Sequence, residues 1–152
     1  FPQAEIWGCD LSLRMLEQAQ RAANEHGWPW KLFQVAAEDT GFEAASFDLV
    51  TSYIVLHEIP AAVTRAQMRE AFRLLRPGGD LLFTDVTPYR ALDKLAVRWA
   101  EYGAVHGGEP FWREAATLDL AQAAREAGFV DVRSEGLKGA IYPWVTYGHK
   151  PG

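Results

Sequence analysis

The chain has 152 residues, of which 49% are hydrophobic and 23% are charged, and its formal net charge at pH 7 is −5. This length and composition are typical of one globular domain, predicted here for residues 1–152, and they exclude a disordered or fibrous chain. The acidic balance and the scattered arginines argue against a nucleic-acid partner, because binding to phosphates needs clustered positive charge.

The cysteine content and the hydropathy of the chain indicate its cellular location and the kinds of site it can hold. The single cysteine, Cys9, cannot form an internal disulfide, so we expect a reducing, cytoplasmic location. No apolar run approaches the roughly 20 residues that a membrane span needs. The four histidines and Cys9 show no metal-ligand spacing. The sequence therefore predicts neither a membrane span nor a metal site.

The first predicted elements alternate between strand and helix. In chain order they are a strand over residues 4–9, a helix over 13–26, a strand over 31–35 and a polar loop over 36–45. Ser12 is the predicted N-cap of the helix, and Gly27 is its predicted stop.

A strand–helix–strand crossover is predicted over residues 47–86. It opens with a near-continuous apolar run, which is typical of a parallel strand covered on both faces. Residues 64–67 offer a capping-box start for the helix, Pro77-Gly78-Gly79 would stop it, and Leu81-Leu82-Phe83 returns as a strand. Parallel strands joined in this way form a right-handed unit in nearly all cases.

The rest of the chain predicts two helices and two strands. The first helix is amphipathic and covers residues 89–105, with Leu92, Leu95, Ala96 and Trp99 on one face. A break over 106–110 follows, and the second helix runs from its cap Thr117 to Ala127. The two strands, over 129–133 and 141–147, form an antiparallel pair. The alternation predicts an α/β fold with a mostly parallel sheet and a C-terminal antiparallel pair.

Asp10 is the first residue that this pattern links to a ligand. An acid that ends a parallel strand just before a helix lies at the carboxyl edge, where open α/β sheets bind ligands. A carboxylate there can accept hydrogen bonds from both ribose hydroxyls of a nucleoside cofactor. The alternative is an acid that only complements the helix dipole.

Three segments resemble the class I S-adenosylmethionine-dependent methyltransferases. They are the Arg-Leu-Leu-Arg-Pro-Gly-Gly turn over residues 73–79, the Gly-x-Asp-x-Ser-x-x-Met-Leu segment over 8–16 and the acidic loop over 36–42. The resemblance implies a Rossmann-like methyltransferase fold, S-adenosylmethionine as the cofactor and a small-molecule acceptor, as in the ubiquinone and menaquinone biosynthesis enzymes.

The same resemblance implies a set of cofactor-binding residues: Asp10, Leu11, Met15, Ala37, Glu38, Ser52 and Tyr53. Asp10 would bind the ribose, and Leu11 and Met15 would pack against the adenine. Ala36 stands where the family has an acid that meets the adenine amino group, so that contact passes to Glu38 or to the backbone of Ala37. The alternatives are core packing for Met15 and a solvated turn for Glu38.

His57 is the candidate catalytic residue. It follows the strand that ends at Tyr53, and in the family this strand end lines the cleft beside the transferring methyl group. Histidine has an unperturbed pKa near neutrality, so His57 could orient or deprotonate a substrate hydroxyl. The alternative is a histidine that packs at the strand-to-helix turn, because methyl transfer mainly needs alignment.

Four further residues are candidates for contact with the acceptor. Asp85 ends the last strand of the crossover, and the insert that follows it carries Tyr102, His106 and Trp112. Aromatic side chains suit a flat or apolar acceptor held away from water. The alternative is that these rings bury a connecting helix.

The resemblance begins at the family's second strand. The nine residues before Asp10 leave no room for the first strand and its Gly-x-Gly-x-Gly turn. We therefore expect an N-terminally truncated chain that binds S-adenosylmethionine weakly or not at all by itself. An exposed sheet edge would also favour self-association.

Two other functions compete with methyl transfer. One is an NAD(P)-binding Rossmann domain, which also places an acid at the end of its second strand; the Arg-Pro-Gly-Gly turn and the C-terminal antiparallel pair argue against it. The other is a non-catalytic interaction module that retained the fold, with which Ala36 is compatible.

Overall fold

A computed structural model of the protein describes residues 3–137 and 139–152. Its contacts divide the chain into two compact units, of which the first ends at Gly41 and the second is Phe42–Gly152. The grouping of residues 1–152 into one domain stays a prediction.

The first unit holds one helix and two short strands. Its elements are β1 (Trp7–Cys9), α1 (Leu13–His26) and β2 (Lys31–Phe33). The two strands pair in parallel, with Trp7 opposite Lys31. Ser12 caps α1 by accepting a hydrogen bond from the Met15 N–H, and Gly27 ends it in the left-handed conformation at a φ of 69°. The predicted bounds and caps of this helix are confirmed.

The second unit is built on a four-stranded sheet. Its strands are β3 (Phe47–Tyr53), β4 (Leu75–Asp85), β5 (Val130–Gly136) and β6 (Trp144–His149), in the order β3-β4-β6-β5. β3 and β4 are parallel, whereas β6 is antiparallel to both β4 and β5. The sheet is mixed, and the predicted α/β class and C-terminal antiparallel pair are confirmed. The carboxyl ends of β3 and β4 meet at one edge, where Tyr53 lies opposite Thr84.

Four helices accompany this sheet. They are α2 (Ala61–Leu74), α3 (Lys94–Gly107), α4 (Trp112–Thr117) and α5 (Leu120–Ala127), with short 3-10 turns at Leu56–Glu58 and Tyr89–Ala91. Within residues 3–137 and 139–152, every helix is too short or too polar to cross a membrane.

The main core of the second unit joins α2, α5 and β4. Its most buried members are Leu56, Met68, Ala71, Leu75, Leu81, Phe83, Ala123, Ala124 and Phe129. Burial of each large apolar side chain contributes about 1.5–3 kcal/mol. A smaller cluster of Val86, Ala115 and Ala116 packs with Trp112 below the end of β4. These two clusters hold the turn after β3 and the end of β4 in fixed positions.

Both ends of α2 differ from the prediction. The helix begins directly after Pro60, whose φ of −59° is already suited to a first turn. Thr64 is fully buried inside the helix, so the predicted capping box over residues 64–67 is wrong. The helix ends at Leu74, because Leu75 already has an extended backbone. The Pro77-Gly78-Gly79 turn therefore lies within β4 and does not stop the helix.

The predicted helix from Thr117 to Ala127 corresponds to α5, which begins at Leu120, and a separate short helix, α4, precedes it. Thr117 is the last residue of α4, and its hydroxyl donates back to the Arg113 carbonyl. Asp119 caps α5 by accepting a hydrogen bond from the Gln122 N–H. The cap assigned to Thr117 is wrong, since a carboxylate two residues later satisfies the first turn of α5.

α3 begins later than predicted and buries a different face. Asp93 caps it by accepting hydrogen bonds from the backbone N–H groups of Leu95 and Ala96. Leu95 and Trp99 are 64% and 66% exposed, whereas Ala100 and Ala104 are buried. The helix is therefore anchored through small residues, and the large apolar side chains that share the predicted register face outward.

Candidate functional site

Asp85 is a fully buried carboxylate at the carboxyl end of β4, with 1% of its surface exposed. Its Oδ2 accepts hydrogen bonds from the N–H groups of Val55 (2.9 Å) and Leu56 (2.8 Å). Its Oδ1 accepts one from the N–H of Val86 at 2.8 Å. These backbone donors satisfy a group that would otherwise be costly to bury. Asp85 thereby ties the turn after β3 to the end of β4.

His57 lies in that turn and is 5% exposed. Its Nδ1–H donates to Asp85 Oδ1 at 2.9 Å. This bond fixes the ring orientation and leaves Nε2 as the acceptor nitrogen. The ring of Trp112 meets the imidazole edge-on, with centroids 5.4 Å apart. His57, Asp85 and Trp112, three of the residues singled out in the sequence, are thus in direct contact.

A strained backbone position precedes His57. Ile54 has a φ of 55°, which β-branched residues rarely adopt because of steric crowding at Cβ. Its N–H donates to the Thr84 carbonyl at 2.9 Å, which holds the strained conformation against β4. Such strain costs about 1–3 kcal/mol and is concentrated at functional sites. Here it turns the chain from β3 toward His57.

Two further carboxylates lie near the imidazole. Glu109 Oε2 lies 3.9 Å from His57 Nε2. His57, Glu58 and Glu109 each offer a ligand atom, and these atoms lie within 4.8 Å of one another. Glu109 was not anticipated from the sequence, because no residue pattern links the loop after α3 to His57.

Ser52 and Tyr53 end β3, Ser52 half-buried and Tyr53 exposed. The Tyr53 ring meets Tyr142 edge-on, with centroids 6.1 Å apart. Burial raises the pKa of Tyr142 to about 12, and the Tyr53 hydroxyl and the Asp85 carboxylate act in the same direction. Tyr142 was not anticipated from the sequence. It precedes β6 in the chain, far from β3, and the folding of the sheet brings it to Tyr53.

The raised pKa of Tyr142 predicts a loss of stability in alkali. The folded state holds the phenolic proton to about pH 12, whereas the unfolded chain releases it near pH 10. This tyrosine therefore lowers the free energy of unfolding progressively as the pH rises from about 10 to 12. Urea unfolding at pH 9 and pH 11.5 should show a smaller alkaline loss for Tyr142→Phe than for the wild type. Equal losses in both proteins would contradict the assignment.

Tyr102 and His106 lie one turn apart on α3. Their rings are 3.9 Å apart at the centroids, and Tyr102 also meets Trp99 edge-on at 6.2 Å. These ring contacts all lie within α3. Tyr89, at the start of the same insert, has its pKa raised by burial and by the Glu101 carboxylate.

Asp10 lies at the carboxyl end of β1, the position predicted from the sequence, and it is half-buried. Its N–H donates to the Phe33 carbonyl at 3.2 Å, and its Oδ1 accepts a hydrogen bond from the Ser12 N–H at 2.7 Å. The apolar side chains of Leu11 and Met15 follow and are 66% and 52% exposed. The first unit thus presents a carboxylate beside exposed apolar surface at the start of a helix.

Ala37 and Glu38 lie in a tight turn after β2. Ala36 and Asp39 bracket the turn, and the Asp39 N–H donates to the Ala36 carbonyl at 3.2 Å. Ala37 and Glu38 are both half-buried. Gln34 Nε2 donates to the Leu11 carbonyl at 3.0 Å, which joins the segments that follow the two strands of this unit.

Comparison with known proteins identifies the family. Residues 1–79 match the family described as "Methyltransferase domain". The chain belongs to this family. The resemblance to class I S-adenosylmethionine-dependent methyltransferases is therefore confirmed. The matched stretch of this methyltransferase-domain chain includes Asp10, Glu38 and His57.

Two relatives align with nearly the whole chain. The erythromycin 3''-O-methyltransferase of Saccharopolyspora erythraea is 32% identical over 155 residues, covering 95% of this chain and 49% of the relative. The ubiquinone biosynthesis O-methyltransferase of Thiobacillus denitrificans is 32% identical over 152 residues, covering 94% of this chain and 61% of the relative. The methyltransferase-domain chain thus spans about half to three fifths of the length of these relatives.

Solved structures share its fold. An O-methyltransferase family protein from Burkholderia thailandensis superposes with a TM-score of 0.74 at 21% identity, covering 99% of this chain and 45% of that protein. The Rossmann-like methyltransferase fold predicted from the sequence is confirmed.

Proposed function

We propose that this chain belongs to an enzyme that transfers the methyl group of S-adenosylmethionine to a small-molecule acceptor. The observation that carries the proposal is the family match over residues 1–79. The names of the two relatives, one for erythromycin and one for ubiquinone biosynthesis, support an acceptor of small-molecule size.

The residues of the first unit fit an adenosine. Asp10 uses Oδ1 to hold the Ser12 N–H, so its other oxygen remains to accept hydrogen bonds from ribose hydroxyls. The exposed side chains of Leu11 and Met15 would be covered by a flat adenine, and removing their apolar surface from water stabilises the complex. Glu38 or the Ala37 backbone would meet the adenine amino group.

In the second unit, Ser52 and Tyr53 are the proposed cofactor contacts and His57 is the proposed base. S-adenosylmethionine supplies a methyl group on a positively charged sulfur, so an acceptor hydroxyl must lose its proton as its oxygen is methylated. His57 Nε2 would take that proton. The Asp85 carboxylate, 2.9 Å from Nδ1, would stabilise the resulting imidazolium. Asp85, a candidate for contact with the acceptor, is proposed instead to act through His57 as a positioning residue, because only 1% of its surface is exposed.

The aromatic side chains after β4 are proposed to shield the acceptor. Trp112 already packs against His57, and the exposed rings of Tyr102 and His106 are available to an apolar or flat molecule. Excluding water around His57 would strengthen its electrostatic interaction with Asp85.

The remaining expectations concern partners and location. A net charge of −5 favours a small acceptor over nucleic acid. β3 is the terminal strand in the order β3-β4-β6-β5, and Leu49 and Tyr53 on it are exposed. Such an edge supports self-association. The single cysteine supports a cytoplasmic location.

Calorimetric titration tests the proposal. S-adenosylmethionine and, separately, NADH would be titrated into these 152 residues and into the longest natural chain that contains them. We expect saturable binding of S-adenosylmethionine to that natural chain, with a dissociation constant of about 1 μM–1 mM, the ordinary range for enzyme substrates. Because the 152 residues span only about half to three fifths of the relatives' length, we expect them to bind more weakly by themselves. Binding of NADH alone would support the dinucleotide-binding domain. Binding of neither would support the interaction module.

A further inference from the structure

The environment of His57 Nε2 is unusually rich in carboxylates. Nε2 lies 3.9 Å from Glu109 Oε2, too far for a hydrogen bond. Glu58, the next residue in the same 3-10 turn, brings a second carboxylate, and the three ligand atoms lie within 4.8 Å of one another. The His57 side chain is more than nine-tenths buried, so the fold fixes the position of the imidazole beside these carboxylates.

Asp85 prepares His57 as a ligand. Its Oδ1 holds Nδ1–H at 2.9 Å and is itself held by the Val86 N–H. The Nε2 lone pair is therefore presented in a fixed direction. A histidine whose other nitrogen donates to a carboxylate is the usual arrangement behind a metal-bound imidazole, because the carboxylate orients the ring and makes it a better ligand.

Negative charge collects around His57 in the described part of the chain. Asp85, Glu58 and Glu109 place three carboxylates around a single imidazole. Among residues 3–137 and 139–152, no lysine or arginine forms an ion pair with Glu58 or Glu109. Carboxylates gathered in this way repel one another, and a cation placed among them would offset that repulsion.

We propose that His57 Nε2, Glu58 and Glu109 form a binding site for a single divalent cation. One imidazole and two carboxylates suit Zn²⁺, with Mn²⁺ the next choice, whereas an all-oxygen site would favour Mg²⁺. Glu58 is exposed and Glu109 partly exposed, so both side chains are free to change rotamer. The three ligand atoms, now within 4.8 Å of one another, can then move to the shorter spacing that one bound ion needs. Three protein ligands leave a coordination position open.

The cation and a proton compete for the same lone pair of His57. Binding of the ion therefore excludes the protonated imidazole, and His57 can act as the proposed base only in the metal-free chain. The inference does not depend on methyl transfer, since the ion is bound by residues of the second unit and can be measured without cofactor or acceptor.

Zn²⁺ titration of the metal-stripped chain by calorimetry tests the site. We expect one saturable ion per chain. Glu109→Gln and Glu58→Gln should each weaken the binding by about tenfold or more, since even loss of an outer carboxylate partner costs 10–100-fold in metal affinity. Both residues lie at the surface, so their variants should fold. Mg²⁺ should bind more weakly than Zn²⁺.

The chain offers a matched histidine control. His149 Nδ1 lies 2.9 Å from Asp80 Oδ1, the same pairing as in His57 and Asp85, but at the surface. The Zn²⁺ affinity of the His149→Gln variant should equal that of the wild type. In a separate measurement, paramagnetic Mn²⁺ should broaden the indole NMR signal of Trp112, whose ring contacts His57. The proposal is overturned if Zn²⁺ binding is absent, or if it is lost in His149→Gln and retained in Glu58→Gln and Glu109→Gln.

Discussion

Asp85→Ala is expected to lower the free energy of unfolding by about 3–5 kcal/mol, the usual cost of removing one partner of a buried charged network. The change leaves the N–H groups of Val55, Leu56 and Val86 and the Nδ1–H of His57 without acceptors. Each buried donor that loses its partner costs about 1–3 kcal/mol, partly recovered by relaxation. Urea unfolding followed by tryptophan fluorescence measures the change.

Asp80→Ala is the matched control for this prediction. Asp80 makes the same bond to a histidine, His149, at 2.9 Å, but its side chain is 65% exposed. Exposed ion pairs contribute about 0–1 kcal/mol, so this variant should unfold nearly as the wild type does. A similar loss for Asp80→Ala and Asp85→Ala would show that burial and the backbone donors are not what makes Asp85 important.

α1 shows what the sequence can specify by itself. Ser12 and Gly27 bracket an amphipathic segment, and the helix begins and ends between them as predicted. Both caps act on backbone groups within one turn, so nothing distant had to be known. The C-terminal strands were found for a similar reason, because their apolar pattern and the glycine before them are local signals.

Neighbouring cap residues and tertiary packing together explain the places where prediction was wrong. Thr64 and Thr117 are residue types that cap helices, yet Pro60 and Asp119 occupy those positions. Thr64 is drawn into the core of the second unit, where burial outweighs its preference for a helix end. Large apolar residues on α3 suggested a buried face, but Ala100 and Ala104 allow the closer packing.

In the candidate site too, some features could be predicted from the sequence and others depend on tertiary contacts. His57 and Asp85 were found because both follow strands, and the carboxyl ends of parallel strands meet at one edge. Their hydrogen bond, between residues 28 positions apart, depends on the left-handed turn at Ile54, which no residue preference would predict. Glu109 reaches His57 because α4, which follows it, packs against the turn at Leu56–Glu58, so its role depends on the tertiary structure.

Asp10→Asn is expected to weaken S-adenosylmethionine binding by roughly 10–100-fold, if Asp10 accepts hydrogen bonds from the ribose. Hydrogen bonds to a charged group contribute about 1.5–3 kcal/mol, which corresponds to that range. Asparagine can keep the bond that Oδ1 accepts from the Ser12 N–H, so the start of α1 should be preserved. Calorimetry on the longest natural chain that binds the cofactor measures the effect, and circular dichroism checks the helix.

Asp39→Asn separates the ribose contact from a general effect of charge. Asp39 is an exposed acid in the turn after β2. Like Asp10→Asn, the substitution removes one negative charge from the first unit of the chain. The cofactor is positively charged at its sulfur, so a purely long-range attraction would weaken similarly in both variants, by an amount that salt screens. A hydrogen bond to ribose predicts a loss confined to Asp10→Asn and retained at high salt. Equal losses in the two variants, or none in either, would leave Asp10 with only its role at the start of α1.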